Sequence, residues 1–174
     1  MRFLVTGGKG MLGGDFSREI AALPDLAGMA LGKDELNVRD AKAMKAAAPY
    51  AEGGWVVHCA AIVNVEGCAR DPETARQVIV DGTVEAIALA RAAEARLFYP
   101  QSFLTYDGRS NPIAEHEVQR PLSLYGELKL EAQRRIEDAF GEDALIVRMA
   151  GFFGGAEADK NFVGRIIPAM YAAI

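Results

Sequence analysis

Apolar residues recur along the chain in two rhythms. Short runs of strand length fall at 1–5, 26–31, 55–61, 97–102 and 144–149, and the stretches between them carry apolar residues at helical spacing. The first such stretch, 11–22, places Met11, Leu12, Phe16 and Ile20 along one side, followed by Leu23, and stops at Pro24. Asp40 is placed to cap a helix over 41–48 that ends at Pro49. Asp71-Pro72-Glu73 is a strong helix start, and Val78, Ile79, Ala86, Leu89 and Ala90 carry that helix to about residue 95. After a turn-rich loop over 107–112, a last helix begins near Leu124 and holds Tyr125, Leu128, Lys129, Ala132 and Ile136. Five strands alternating with helices predict an α/β domain with a doubly wound parallel sheet, the Rossmann arrangement. Its ligand is expected at the carboxyl ends of the strands.

Composition narrows the partners. At 174 residues, 51% hydrophobic and 25% charged, the chain reads as one globular domain over 1–174. A net charge of -5 and the lack of a basic stripe argue against nucleic acid. Cys59 and Cys68 form no CxxC, and only His58 and His116 could join them, so no metal site is expected and both thiols are read as free. No apolar run reaches the roughly 18 residues of a membrane span, and no leader precedes the first strand, which points to a soluble cytoplasmic protein.

The chemistry starts where the first strand meets Thr6-Gly7-Gly8-Lys9-Gly10-Met11-Leu12-Gly13. Glycines at this spacing between a strand and a helix form a phosphate cradle. Gly7 permits the tight turn, Gly10 clears room for a pyrophosphate, and Gly13 lets helix and sheet approach closely. A dinucleotide cofactor is therefore expected. Lys9, and Lys33 just past the second strand, favour NADP over NAD because a cation there meets a 2′-phosphate; Asp34 and Glu35 close by leave NAD open. The third strand ends in small residues, Ala60 and Ala61, that let a cofactor lie against bare backbone. His58 is expected in the core or behind the site.

Tyr125 and Lys129 are four apart on one helix and share a face. Bringing a phenol from near pH 10 toward neutrality takes roughly 4 kcal/mol of differential interaction, which a neighbouring ammonium is expected to help supply. Ser102, ending the fourth strand, is placed to hold a carbonyl beside the Tyr125 hydroxyl. Lys129 is also placed to orient the nicotinamide ribose.

With these features in order, the chain resembles the extended short-chain dehydrogenase/reductases (the NAD-dependent epimerase/dehydratase superfamily), and most of all their dTDP-4-dehydrorhamnose reductase branch. The resemblance is carried by the glycine segment, Glu35-Leu36-Asn37-Val38-Arg39-Asp40, His58-Cys59-Ala60-Ala61, Ser102 with Tyr106-Asp107-Gly108, and Tyr125-Gly126-Glu127-Leu128-Lys129. It implies a catalytic triad of Ser102, Tyr125 and Lys129. It further implies that Gly7, Gly10, Met11, Leu12, Asp40, Ala60 and Ala61 line the cofactor, with Asp40 near adenine. The implied activity is NADP-dependent reduction of a keto group on a nucleotide sugar. Two other readings stand beside it: an NAD-dependent 4-epimerase or dehydratase, and a catalytically silent NADP-binding regulator.

The chain departs from the family at three points. Ile79 stands where the family usually has an asparagine, and Asn37 replaces a frequent aspartate. The sequence also stops at Ile174 within an expected helix, so the substrate lobe is expected to be missing or truncated. Family members often pair through helices, which makes 70–95 and 123–139 the candidate homodimer surfaces.

Overall fold

A computed structural model describes residues 1–109 and 112–152. The elements run β1 (Arg2–Thr6), α1 (Met11–Ala22), β2 (Ala27–Leu31), α2 (Ala41–Ala46), β3 (Trp55–His58), α3 (Val65–Arg70), α4 (Pro72–Arg76), α5 (Gly82–Ala92), β4 (Arg96–Ser102), α6 (Leu124–Phe140) and β5 (Ala144–Met149). The expected terminal helix over 165–174 lies outside the described residues.

All five strands are parallel, in the order β2-β1-β3-β4-β5. The chain steps one way from β1 to β2 and the other way in every later crossover. Right-handed crossovers therefore put α1 on one face and α2, α5 and α6 on the other. The larger core follows from this: Leu4, Val56 and Leu97 (all 0% exposed) face Ala86 and Leu89 of α5 and Leu128 and Ile136 of α6. Val5 and Val57, one residue along each strand, turn to the opposite side and meet Ile20 of α1. The order reverses between β1 and β3, and the crevice outside their carboxyl ends is where such sheets take ligands.

Three expected elements differ. β3 ends at His58, not 61, because its ladder with β1 stops at the pair Thr6 and His58. The expected helix over 71–95 is α4 and α5 joined by a π-helical turn, Gln77–Asp81, and it finishes at Ala92, where Glu94 adopts φ +50°. α3 was not anticipated; Asn64 caps it by accepting the Gly67 N–H at 2.7 Å. Past Ala46 the expected helix over 41–48 gives way to a 3-10 turn, Ala48–Ala51, whose first turn accommodates Pro49.

Candidate active site

The glycine loop performs three different jobs. Gly7 adopts φ +67°, and a Cβ there would sit 2.8 Å from Ala60 N on the loop after β3, so only glycine fits. Gly13 is held by the same constraint from within, since its Cβ would overlap the Gly7 carbonyl oxygen. Gly10 is different: an added Cβ meets only the Gly7 oxygen, at 3.1 Å, so the protein alone leaves space there. Gly8, unassigned from sequence, packs on β2, donating its N–H to Leu31 O at 2.9 Å.

Two cavities meet at this loop, both walled by Gly7, Gly10, Cys59 and Ala61. One, of about 330 Å³, adds Lys9, Lys33 and Ala60. The other, of about 520 Å³, adds Met11, Leu12, Tyr125 and Lys129. This two-lobed shape, joined at a helix N-terminus whose first N–H groups lack intrahelical acceptors, fits a dinucleotide: an adenosine half, a pyrophosphate at the loop and a nicotinamide half.

Asp40 caps α2, as its place in the sequence predicts. It lines neither cavity, and its carboxylate accepts the Lys42 and Ala43 N–H groups at the start of α2, both at 3.0 Å. The paired lysines are also modified by an acid. Glu35 accepts the Gly32 N–H at 2.8 Å and lies 3.4 Å from Lys9 Nζ. That backbone bond, helped by Lys9, keeps the Glu35 carboxyl below its usual range. Arg39, for which the sequence carries no local signal, lines the same cavity and donates to Gln77 Oε1 at 3.2 Å.

In the other half, Lys129 is 2% exposed. Its Nζ donates to Pro100 O at 2.7 Å and lies over the Tyr99 ring. Burial pushes its pKa down to about 7. Tyr125 goes the opposite way from expectation: burial raises its pKa, and the neighbouring Ser102 side chain, placed to hydrogen-bond the phenolate, only partly offsets this. Ser102 itself is half-buried and meets the site through Tyr125 rather than through the cavity wall.

His58 lies behind this half, as its surroundings in sequence suggest, 1% exposed, with Nδ1 2.8 Å from Thr6 Oγ1. Its Nε2 is buried without a partner among the described residues. Burial pushes the ring's pKa down to about 3, with the Lys129 charge second, so the imidazole is neutral. Ile79 sits in the π turn, buried at 1% in the main core, and contributes to neither cavity wall. The described residues hold no cluster of His, Cys, Asp or Glu able to bind a metal, and none of their helices is long and apolar enough to cross a membrane.

The family model described as the RmlD substrate binding domain matches residues 1–171. A dTDP-4-dehydrorhamnose reductase from Streptomyces griseus is 31% identical over 170 residues, covering 95% of this chain and 54% of that protein. The methionine adenosyltransferase 2 subunit beta of Xenopus tropicalis is 30% identical over 162 residues, covering 90% of this chain and 48% of that one. Among solved structures, a dTDP-4-dehydrorhamnose reductase from Clostridium acetobutylicum superposes with a TM-score of 0.90 at 24% identity, over 99% of this chain and 60% of its own. The chain thus spans about half the length of the curated relatives it matches.

Proposed function

The chain belongs to the RmlD substrate-binding-domain family, and from that footing we infer that it serves an NADP-dependent reductase acting on a keto group of a nucleotide-activated sugar. The observation that carries this reading is the convergence of Tyr125 and Lys129 on one cavity that opens, across Gly7 and Gly10, into a second lined by Lys9, Lys33 and Arg39. When bound, NADPH supplies the hydride. The chain's own groups hold it and handle the proton. Gly7, Gly10 and the first turn of α1 receive the pyrophosphate; Lys33 and Arg39 meet the 2′-phosphate, with Lys9 shared with Glu35.

Tyr125 stays protonated at neutral pH because it is buried, which is the state needed to donate a proton to an alkoxide forming beside it. The Ser102 Oγ accepts the Leu104 N–H at 3.2 Å, leaving its own proton to hold the substrate carbonyl. Lys129, with a pKa of about 7, is poised to return a proton to Tyr125 near neutrality.

The relatives named as a methionine adenosyltransferase subunit support a second reading, a silent cofactor-binding partner of another enzyme. The free thiols of Cys59 and Cys68 suit a reducing cytoplasm for either, and a homodimer would use α4, α5 and α6. The deciding experiment follows NADPH oxidation by the chain with a dTDP-4-keto-6-deoxy sugar. Turnover that falls by about a thousandfold in Tyr125→Phe supports the reductase. Absence of turnover on the keto sugar nucleotide contradicts it, and retained NADPH binding would then favour the silent partner.

A further inference from the structure

Gln101 sits beside Ser102 at the end of β4, is 2% exposed, and uses every polar atom it has. Its Nε2 donates to Lys129 O at 3.0 Å and to Gln133 Oε1 at 2.8 Å, both on α6. Its Oε1 accepts the Ser102 N–H at 2.8 Å. The circuit continues through Gln133, whose Nε2 donates to Gln119 Oε1 at 3.1 Å. Gln119 Nε2 donates to Thr105 Oγ1 at 2.9 Å, and Thr105 Oγ1 donates to Ser102 O at 3.0 Å. The ring of bonds closes on Ser102, whose N–H is held by Gln101 and whose C=O is held by Thr105.

A strand and a helix need no such device merely to stay together. Apolar side chains would hold them without the desolvation of buried carboxamides, which is tolerable only when their bonds are made. What the circuit adds is geometry. It grips the Ser102 N–H from one side and its C=O from the other, and it ties both to the turn of α6 that carries Tyr125 and Lys129.

We propose that Gln101, braced by Gln133, Gln119 and Thr105, is the positioning residue that sets the Ser102 hydroxyl against Tyr125. Its catalytic consequence rests on the reductase reading; its structural part rests on the hydrogen bonds alone.

The test compares Gln101→Met with the parent 174-residue chain in three measurements: hydrogen exchange of the Ser102 amide, NADPH affinity, and turnover of a keto sugar nucleotide. In Gln101→Met, Ser102 exchange should quicken by about a hundredfold. NADPH affinity should stay within about twofold and kcat should fall about 30- to 100-fold with KM little changed, the cost of slightly misplacing a reacting group. Unchanged Ser102 exchange overturns the proposal, as does a kcat loss matched by equal loss of NADPH affinity, which would signal general collapse of the cavity. Thr105→Val, which removes one hydroxyl, serves if Gln101→Met fails to fold; about tenfold in both exchange and kcat is expected, and no change in exchange overturns the proposal. If the parent chain shows no turnover, the reductase reading fails, and Ser102 exchange alone decides for or against the positioning role.

Discussion

The Lys129 ammonium is anchored on the Pro100 carbonyl at 2.7 Å. The bond holds a cation inside the protein, 3.7 Å from the centre of the Tyr99 ring and with no carboxylate partner among the described residues. One hydrogen bond and one ring face do not repay the loss of water, so burial brings its pKa from 10.5 down to about 7. The penalty is fully present below pH 7, where folded and unfolded chains are both charged, and fades as pH rises to 10.5. Lys129→Met should therefore stabilise the cofactor-free chain at pH 6.5 by about 2 kcal/mol, raising Tm by about 4–8 °C, while turnover collapses. Differential scanning calorimetry checks this; a lower Tm in the variant contradicts it.

His58 gives a second pH signature with the same sign in another window. Its pKa of about 3 in the fold lies well below the ordinary 6.5. Between those values the unfolded chain binds a proton that the fold refuses, so stability falls as pH drops, by up to about 1.4 kcal/mol per pH unit. Urea midpoints at pH 7.5, 5.5 and 4.5 should decline more steeply for the parent chain than for His58→Gln. Equal slopes would show that His58 is not the group responsible.

The glycine loop separates folding from ligand binding. Gly7→Ala forces a side chain into a left-handed backbone and against Ala60, costing about 3 kcal/mol or more. Gly10→Ala meets only the Gly7 oxygen and should fold within about 1 kcal/mol of the parent, yet weaken NADPH binding about a hundredfold by filling the pyrophosphate space. Thermal melts and a fluorescence titration of NADPH on each variant distinguish the two. Unimpaired NADPH binding by Gly10→Ala would place the pyrophosphate elsewhere.

The strands and the two-rhythm pattern were legible because this sheet is parallel and buried, so its strands read as short apolar runs between helical stretches. Every position named from sequence for a cofactor except Asp40 lines one or both cavities, and the glycine and alanine positions were legible because backbone approach demands small residues at fixed points along the chain. What stayed hidden depends on three-dimensional neighbours. Asp40 reads equally as a cap or a ligand contact until α2 is seen to use its carboxylate. The direction of the Tyr125 shift could not be read from Tyr-x-x-x-Lys, since spacing gives the shared face but not the burial of the phenol, which raises its pKa. Gln101, Gln119 and Gln133 carry no local signature at all; the bonds that tie them to one another, to Lys129 and to Thr105 join residues 14 to 32 positions apart.

Calorimetric titration of this chain with NADPH and then NADH tests whether the two cavities take an NADP-type cofactor. Lys33 and Arg39 at the adenosine cavity predict saturable one-to-one NADPH binding at least about tenfold tighter than NADH, the preference disappearing in Lys33→Ala/Arg39→Ala. Equal affinity for the two, or no heat from either with a folded chain, would contradict an NADP-dependent reductase.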